Sequence, residues 1–189
     1  MIDDTDPAAI VTRTWESELL DSVEEFALSL VSEGHRLSGK TLILHDGARV
    51  EISFLVDTNP DWSTRRASID IPALATTFEV EVEPGGRWLF DGEHRKEFDG
   101  CVDIDLGWTP ATNTLPIRRL HFVPGIPRTI RAAWLKWSEL LFVPAEQTYT
   151  KRSADRWTYE SGDFAADLTV DEHGVVLTYG EPPIWQTIR

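Results

Sequence analysis

Two short charged runs, joined by a loop rich in hydroxyl groups, are the part of this sequence best equipped for chemistry. The first run contains Asp103 and Asp105, and the second contains Arg118 and Arg119. Carboxylate and guanidinium groups form strong paired hydrogen bonds, so we expect at least one ion pair between the runs. Such a pair could orient a polar ligand, and either carboxylate could serve as a general acid or base.

The charged runs are expected to lie on adjacent antiparallel strands. Alternation of apolar and polar residues predicts one strand over residues 101–106 and another over Leu115–Val123. In one register Asp103 lies opposite Arg119, where opposite charges attract. A slip of two residues pairs Asp105 with Arg119 instead, and the sequence does not decide between the two.

The loop between the charged runs, residues 108–114, has an unusual composition. It contains three Thr and one Asn, and Pro110 and Pro116 stiffen it because proline fixes φ and bars continuous strand pairing. Thr109 and Asn113 could therefore present hydrogen bonds to a polyol. They could equally satisfy their own backbone, as Thr and Asn usually do in turns.

A ligand site is predicted to gather residues that are distant in the sequence. The predicted ligand-binding residues are Trp62, Arg65, Asp103, Asp105, Thr109, Asn113, Arg118 and Arg119. No catalytic residue can be assigned. The five His show no pair at a zinc-like spacing, and there is no phosphate-binding Gly loop, so neither a metal nor a cofactor is expected.

Composition limits the partners and the location. The net charge is −14, and such a field repels nucleic acids and anionic membrane surfaces. No run approaches the ~18 apolar residues of a membrane span, and the acidic start of the chain is unlike a signal peptide. The lone Cys101 cannot form an internal disulfide. We expect a cytoplasmic protein with no nucleic-acid partner and no integral membrane segment, as a monomer or homodimer.

The elements that position these residues are predicted to be strands. Val50, Ile52, Phe54 and Val56 alternate with polar or smaller residues, which is typical of a half-buried strand, and similar runs recur between turn signals. The best helical candidate is Ile10–Leu20. We therefore predict a mainly β fold with few short helices, a large antiparallel meander curled into a barrel or half-barrel, in a single domain over residues 1–189.

Several runs of the sequence resemble a known family. The longest are Gly100–Leu106 (GCVDIDL) and Thr112–Leu120 (TNTLPIRRL), and shorter ones in the same order include Asp61-Trp62 and Arg156–Tyr159 (RWTY). Together they resemble the signature of the bacterial family described as "Putative glycolipid-binding", over nearly the whole chain. Ala111 departs from that pattern, which has a Phe there.

The resemblance implies a fold similar to the lipoprotein-localisation carriers, in which a strongly curved antiparallel sheet wraps an apolar cavity. It also implies an amphipathic small-molecule ligand, such as a glycolipid, with Trp side chains lining the cavity and polar groups at its mouth. The alternative is an enzyme acting on a glycolipid or related small molecule, with Asp103 or Asp105 as general acid/base. An adjacent Arg usually lowers a carboxyl pKa, which favours binding over catalysis. A purely structural interaction module is a third possibility.

Overall fold

The computed structural model describes residues 7–188, so the acidic residues 1–6 lie outside the described part of the chain. Strands account for 60% of the chain and helices for 8%, which confirms the predicted mainly β fold. All fifteen strands belong to one sheet. They are β1 Ala9–Ser17, β2 Ser22–Val31, β3 Gly34–His45, β4 Ala48–Thr58, β5 Thr64–Ile71, β6 Thr76–Glu83, β7 Arg87–Phe90, β8 Glu93–His94, β9 Asp103–Leu106, β10 Pro127–Lys136, β11 Leu141–Lys151, β12 Arg156–Ser161, β13 Phe164–Val170, β14 Val176–Tyr179 and β15 Trp185–Thr187.

Strand β4 shows why these segments are extended. Its residues Val50, Ile52, Phe54 and Val56 are buried, whereas Glu51 between them is exposed. Successive side chains of a strand point to opposite faces, so this alternation places one apolar face on the core. The predicted alternation in this segment is therefore confirmed.

The sheet is a meander in which β1 and β15, from the two ends of the chain, pair with each other. The strands run in the spatial order β8-β7-β6-β5-β4-β3-β2-β1-β15-β14-β13-β12-β11-β10-β9. Neighbours pair antiparallel except β9 and β10, which are parallel. The sheet is not closed into a barrel. Its β9 edge nevertheless meets β5, because the Thr64 amide donates to the Val102 carbonyl at 3.1 Å and the Thr64 hydroxyl accepts from the Ile104 amide at 2.9 Å.

Two predicted elements are wrong. Ile10–Leu20, predicted as a helix, lies largely in strand β1, where Val11 and Trp15 face the core at strand spacing. The predicted strand Leu115–Val123 is instead a helix at its start: a 3₁₀ turn at Ala111–Asn113 leads into α1, Thr114–Arg119. Pro116 is compatible with this helix because it lies in the first turn, where its missing N–H has no intrahelical partner.

Residues 107–119, which we call the plug segment, pack against the core instead of forming an outer hairpin. The Trp108 ring is fully buried and lies 6.3 Å from the Phe54 ring and 5.9 Å from the Trp137 ring, measured between centroids. Leu115 of α1 is also fully buried in the same cluster. The plug segment therefore joins the apolar core of strands β1–β7. In residues 7–188 no helix has the length and hydrophobicity needed to cross a membrane.

Candidate ligand-binding cavity

A cavity of about 490 Å³ lies where the end of β9 and the plug segment meet strands β10 and β12 to β15. Its polar lining comes from Asp105, Thr109, Asn113 and Ser161. Its aromatic lining comes from Trp134, Tyr159, Phe164, Tyr179 and Trp185. These aromatic residues lie on five different strands, so the antiparallel register of this half of the sheet forms the wall.

Asp105 is the acidic group of the cavity. Its Oδ2 accepts a hydrogen bond from Gln147 Nε2 at 2.5 Å, and its Oδ1 accepts one from Thr112 Oγ1 at 3.2 Å. Burial raises the pKa of this carboxyl to about 6, against the opposing effect of the two hydrogen bonds. Across residues 7–188, no cationic side chain lies within 4.0 Å of Asp105 as an ion-pair partner. The expected lowering of its pKa by an adjacent Arg is therefore wrong for Asp105.

Asn113 is held rigidly beside the cavity. Its Nδ2 donates to the Pro110 carbonyl at 3.0 Å, and its Oδ1 accepts from the Tyr149 hydroxyl at 2.9 Å. Burial raises the pKa of Tyr149 well above its usual value, so the phenol keeps its proton. The side chain of Asn113 thus satisfies its own turn and also lines the cavity.

The three tyrosines of the chain gather at this position. Tyr149 and Tyr159 are directly paired between β11 and β12, with ring centroids 5.2 Å apart. Tyr159 and Tyr179 are 6.1 Å apart. Burial raises the pKa of all three phenols, and the negative charge of Asp105 adds to this effect. Two neutral phenols, those of Tyr159 and Tyr179, therefore line the same cavity as the Asp105 carboxyl.

The exposure of the lining residues differs around the cavity. Thr109, Asn113, Tyr159 and Trp185 are buried, whereas Phe164 is 43% exposed and neighbours the exposed Gly162 at the β12–β13 turn. Phe164 therefore marks the rim of the cavity.

The other predicted site residues lie outside this cavity. Asp103 and Arg119 form the predicted ion pair, with Arg119 Nε 3.0 Å from Asp103 Oδ1 and Nη2 2.5 Å from Oδ2. The pair joins β9 to the end of α1. The pairing of Asp103 with Arg119, one of the two considered, therefore occurs, but Arg119 lies on a helix and not on the predicted antiparallel strand. Burial raises the pKa of Asp103, and Arg119 opposes that effect.

Trp62 and Arg118 form a second group. Trp62 has a left-handed backbone, with φ of 70°, and its ring stacks on His35 at 3.7 Å between centroids. The Arg118 Cζ lies 5.2 Å from the centroid of a Trp62 ring. Desolvation, followed by the Arg118 charge, lowers the pKa of His35. This stack is at the surface, since Arg118 is exposed.

Arg65 belongs to a third group, around the buried Asp57. Its Nη1 lies 2.5 Å from Glu33 Oε2, and its Nη2 lies 3.6 Å from Asp57 Oδ2. Arg36 and Arg66 also bind Asp57. The structure thus brings three of the eight predicted residues together in one cavity, namely Asp105, Thr109 and Asn113. The other five belong to the three groups just described.

The comparisons with known proteins agree with the resemblance noted in the sequence. The profile of the family described as "Putative glycolipid-binding" matches residues 12–186. The chain belongs to this family. Among solved structures, this family member is similar to the crystal structure of a DUF1089 family protein from Pseudomonas aeruginosa. The two are 31% identical, with a TM-score of 0.73, over 84% of this chain and 88% of that chain. No curated protein matches.

In this family member, every residue that lines the cavity falls inside the matched range. Prediction from the sequence missed the aromatic wall, namely Trp134, Tyr159, Phe164, Tyr179 and Trp185. A signal did exist for part of it: the chain has eight Trp, and a domain of this size seldom buries so many indoles completely, which indicates that some line a cavity or groove. Which ones do so depends on strand register, which alternation alone does not determine.

Proposed function

We propose that this protein binds an amphipathic small molecule, a glycolipid or a lipid-like compound, in the cavity beside Asp105. The observation that carries the proposal is the combination of an aromatic wall with hydrogen-bonding groups, Asp105 and Asn113, that the protein holds in place. Ligand sites are commonly concave, mainly apolar and equipped with a few fixed polar groups, with volumes of about 300–1,000 Å³. A cavity of about 490 Å³ fits this description.

The rigidity of the polar groups supports binding. Asn113 makes two hydrogen bonds to the protein and Asp105 accepts two, so these side chains need little reordering when a ligand enters. Aromatic faces suit both alkyl chains and the C–H faces of sugars. The head group therefore lies against Asp105 and Asn113, and the apolar part extends past Phe164 at the rim.

Proton transfer by Asp105 is the second candidate function. A carboxyl with a pKa of about 6 is better suited to general acid/base work than an ordinary aspartate. Most glycoside hydrolases, however, use two carboxyl groups at the scissile bond. Among the described residues Asp105 is the single acidic side chain lining the cavity, which supports binding as the main function.

A matched pair of rim variants tests the binding proposal. Native mass spectrometry of protein purified from its own host should detect a retained lipid. In Ser161→Trp, a new indole at the rim should reduce that retention at least about tenfold by blocking the cavity. Asp163→Trp, two positions along the same turn and outside the lining, should keep it. Equal retention by both variants, or none in the unmodified protein, would contradict the proposal.

The proposed binding takes place in the cytoplasm, and the protein acts as a monomer or a homodimer. The free, buried Cys101 supports a reducing compartment. Cell fractionation tests the location, and light scattering of the purified protein at micromolar concentration tests the oligomeric state.

A further inference from the structure

The half-buried Asp105 differs from the buried aspartates Asp103 and Asp57 in its partners. Asp103 is paired with Arg119, and Asp57 is paired with Arg36 and Arg66. The Asp105 oxygens accept hydrogen bonds from two neutral groups, an amide and a hydroxyl, and no Lys, Arg or His lines the cavity in the described part of the chain. Each carboxylate oxygen has a second lone-pair direction beyond the one already used.

The charge of Asp105 is therefore uncompensated near neutral pH. With a pKa of about 6, the carboxyl is mostly ionised at pH 7.5. Glu24 is a useful contrast. It also lacks a cationic partner, but it lies away from the cavity lining, and burial raises its pKa to about 7, so it keeps more of its proton. Asp105 is half-buried, lines the cavity and is the negative charge that faces a ligand.

The surroundings of Asp105 favour a cation. Tyr159 and Tyr179 line the same cavity, and the faces of such rings attract ammonium groups. Trp134 also lines it, and its ring already has a cationic neighbour, Lys136, with Nζ 5.3 Å from the ring centroid. The phenols are neutral because their pKa values are raised. A buried charge is costly unless an opposite charge approaches it, so a positively charged head group would gain from both the carboxylate and the rings.

We propose, on the basis of the binding function above, that the head group of the ligand carries an ammonium, as in an amino sugar or an amine-headed lipid, and that this group lies against Asp105. An anionic head group, such as a phosphate, is excluded by the same charge. The wider field of the protein, with its net charge of −14, has the same preference.

Calorimetric titration with three single-chain amphiphiles below their micelle concentrations tests this inference. Decylammonium, decyl glucoside and decyl phosphate share one chain and differ in head-group charge. At pH 7.5 decylammonium should bind at least about tenfold more tightly than decyl glucoside, and decyl phosphate should not bind. The preference should weaken as the pH falls below about 6, because protonation removes the Asp105 charge.

The variant Asp105→Asn removes the charge and keeps the shape. It should lose the tenfold preference for decylammonium while its affinity for decyl glucoside changes by less than about threefold. Asp163→Asn removes one exposed charge at the rim and should retain the preference, which separates a local effect from the overall field. The pH titration of the unmodified protein tests the same point without any variant.

The possible failures are distinguishable. Equal affinity for decylammonium and decyl glucoside, or a preference that survives Asp105→Asn, would overturn the ammonium assignment and leave the binding function standing. The assignment is also wrong if decyl phosphate binds best. If none of the three binds and no lipid is retained by the purified protein, the binding function itself is wrong.

Discussion

Thr109 donates a hydrogen bond of 2.6 Å from its hydroxyl to Oε1 of Glu24, a residue 85 positions earlier in the chain. Glu24 is fully buried on β2, and its Oε2 accepts a second hydrogen bond from Thr41 at 2.7 Å. This contact ties the plug segment to the first half of the sheet, while Thr109 also lines the cavity formed by the second half. A residue of the candidate site is thus positioned by a carboxyl outside it.

The first prediction concerns the pH dependence of stability through Glu24. Burial raises its pKa from 4.5 to about 7, so the folded protein binds a proton that the unfolded chain has lost between these values. The stabilising effect is fully present below pH 4.5 and is lost as the pH rises through about 7, a difference of about 3 kcal/mol. Between pH 5 and pH 8, the Glu24→Gln variant should therefore lose less unfolding free energy than the unmodified protein does. Urea unfolding at the two pH values measures this difference.

Glu51→Gln is the matched control for this measurement, since Glu51 is exposed on the neighbouring part of the sheet. It should follow the unmodified protein at every pH. A Glu24→Gln curve with the same slope as the control would contradict the raised pKa.

The second prediction concerns the Thr109 hydroxyl. Thr109→Val removes the donor and leaves the Oε1 of a buried carboxyl without that partner, which should cost about 1–3 kcal/mol of unfolding free energy. Thr109→Ser keeps the hydroxyl and should recover most of this loss. Guanidinium unfolding at pH 8, where Glu24 is largely ionised, measures the difference, and equal stability of the Val and Ser variants would contradict it.

The third prediction uses adjacent arginines at the end of α1. Arg119→Ala leaves the 1% exposed Asp103 without its ion-pair partner and should lower the free energy of unfolding by about 3–5 kcal/mol. Arg118→Ala removes an exposed stacking contact with Trp62 and should cost about 1 kcal/mol or less. Chemical denaturation distinguishes these values, and comparable losses for the two variants would show that the buried ion pair is not the larger contribution.

The fourth prediction separates the cavity from the other predicted site residues. Arg118→Ala should leave lipid retention unchanged, because Arg118 does not line the cavity. Asn113→Ala should reduce retention and also destabilise the fold, because Asn113 makes two buried hydrogen bonds. Tyr149→Phe, which removes one of these bonds and keeps the ring, should have a smaller effect on both. Loss of retention in Arg118→Ala alone would move the site to the Trp62 surface.

Local patterning was sufficient for the strands that alternate cleanly. In β4, residues Val50 to Val56 have a two-residue period, and any fold that buries one face of such a segment must extend it. An ion pair between the two charged runs could also be predicted from the residue types, whereas the choice of Asp103 over Asp105 as the partner of Arg119 depended on the fold. These inferences depend on neighbours along the chain or on the chemistry of single residues.

Only the tertiary structure decided how the plug segment folds. Residues 115–119 have an apolar and basic composition compatible with a strand or with a short helix, and burial of Leu115 against the core selects the helix. The cavity depended on still longer-range information. Tyr149, Tyr159 and Tyr179 meet because β11, β12, β13 and β14 pair in one specific register, and a slip of one residue would turn each ring to the opposite face.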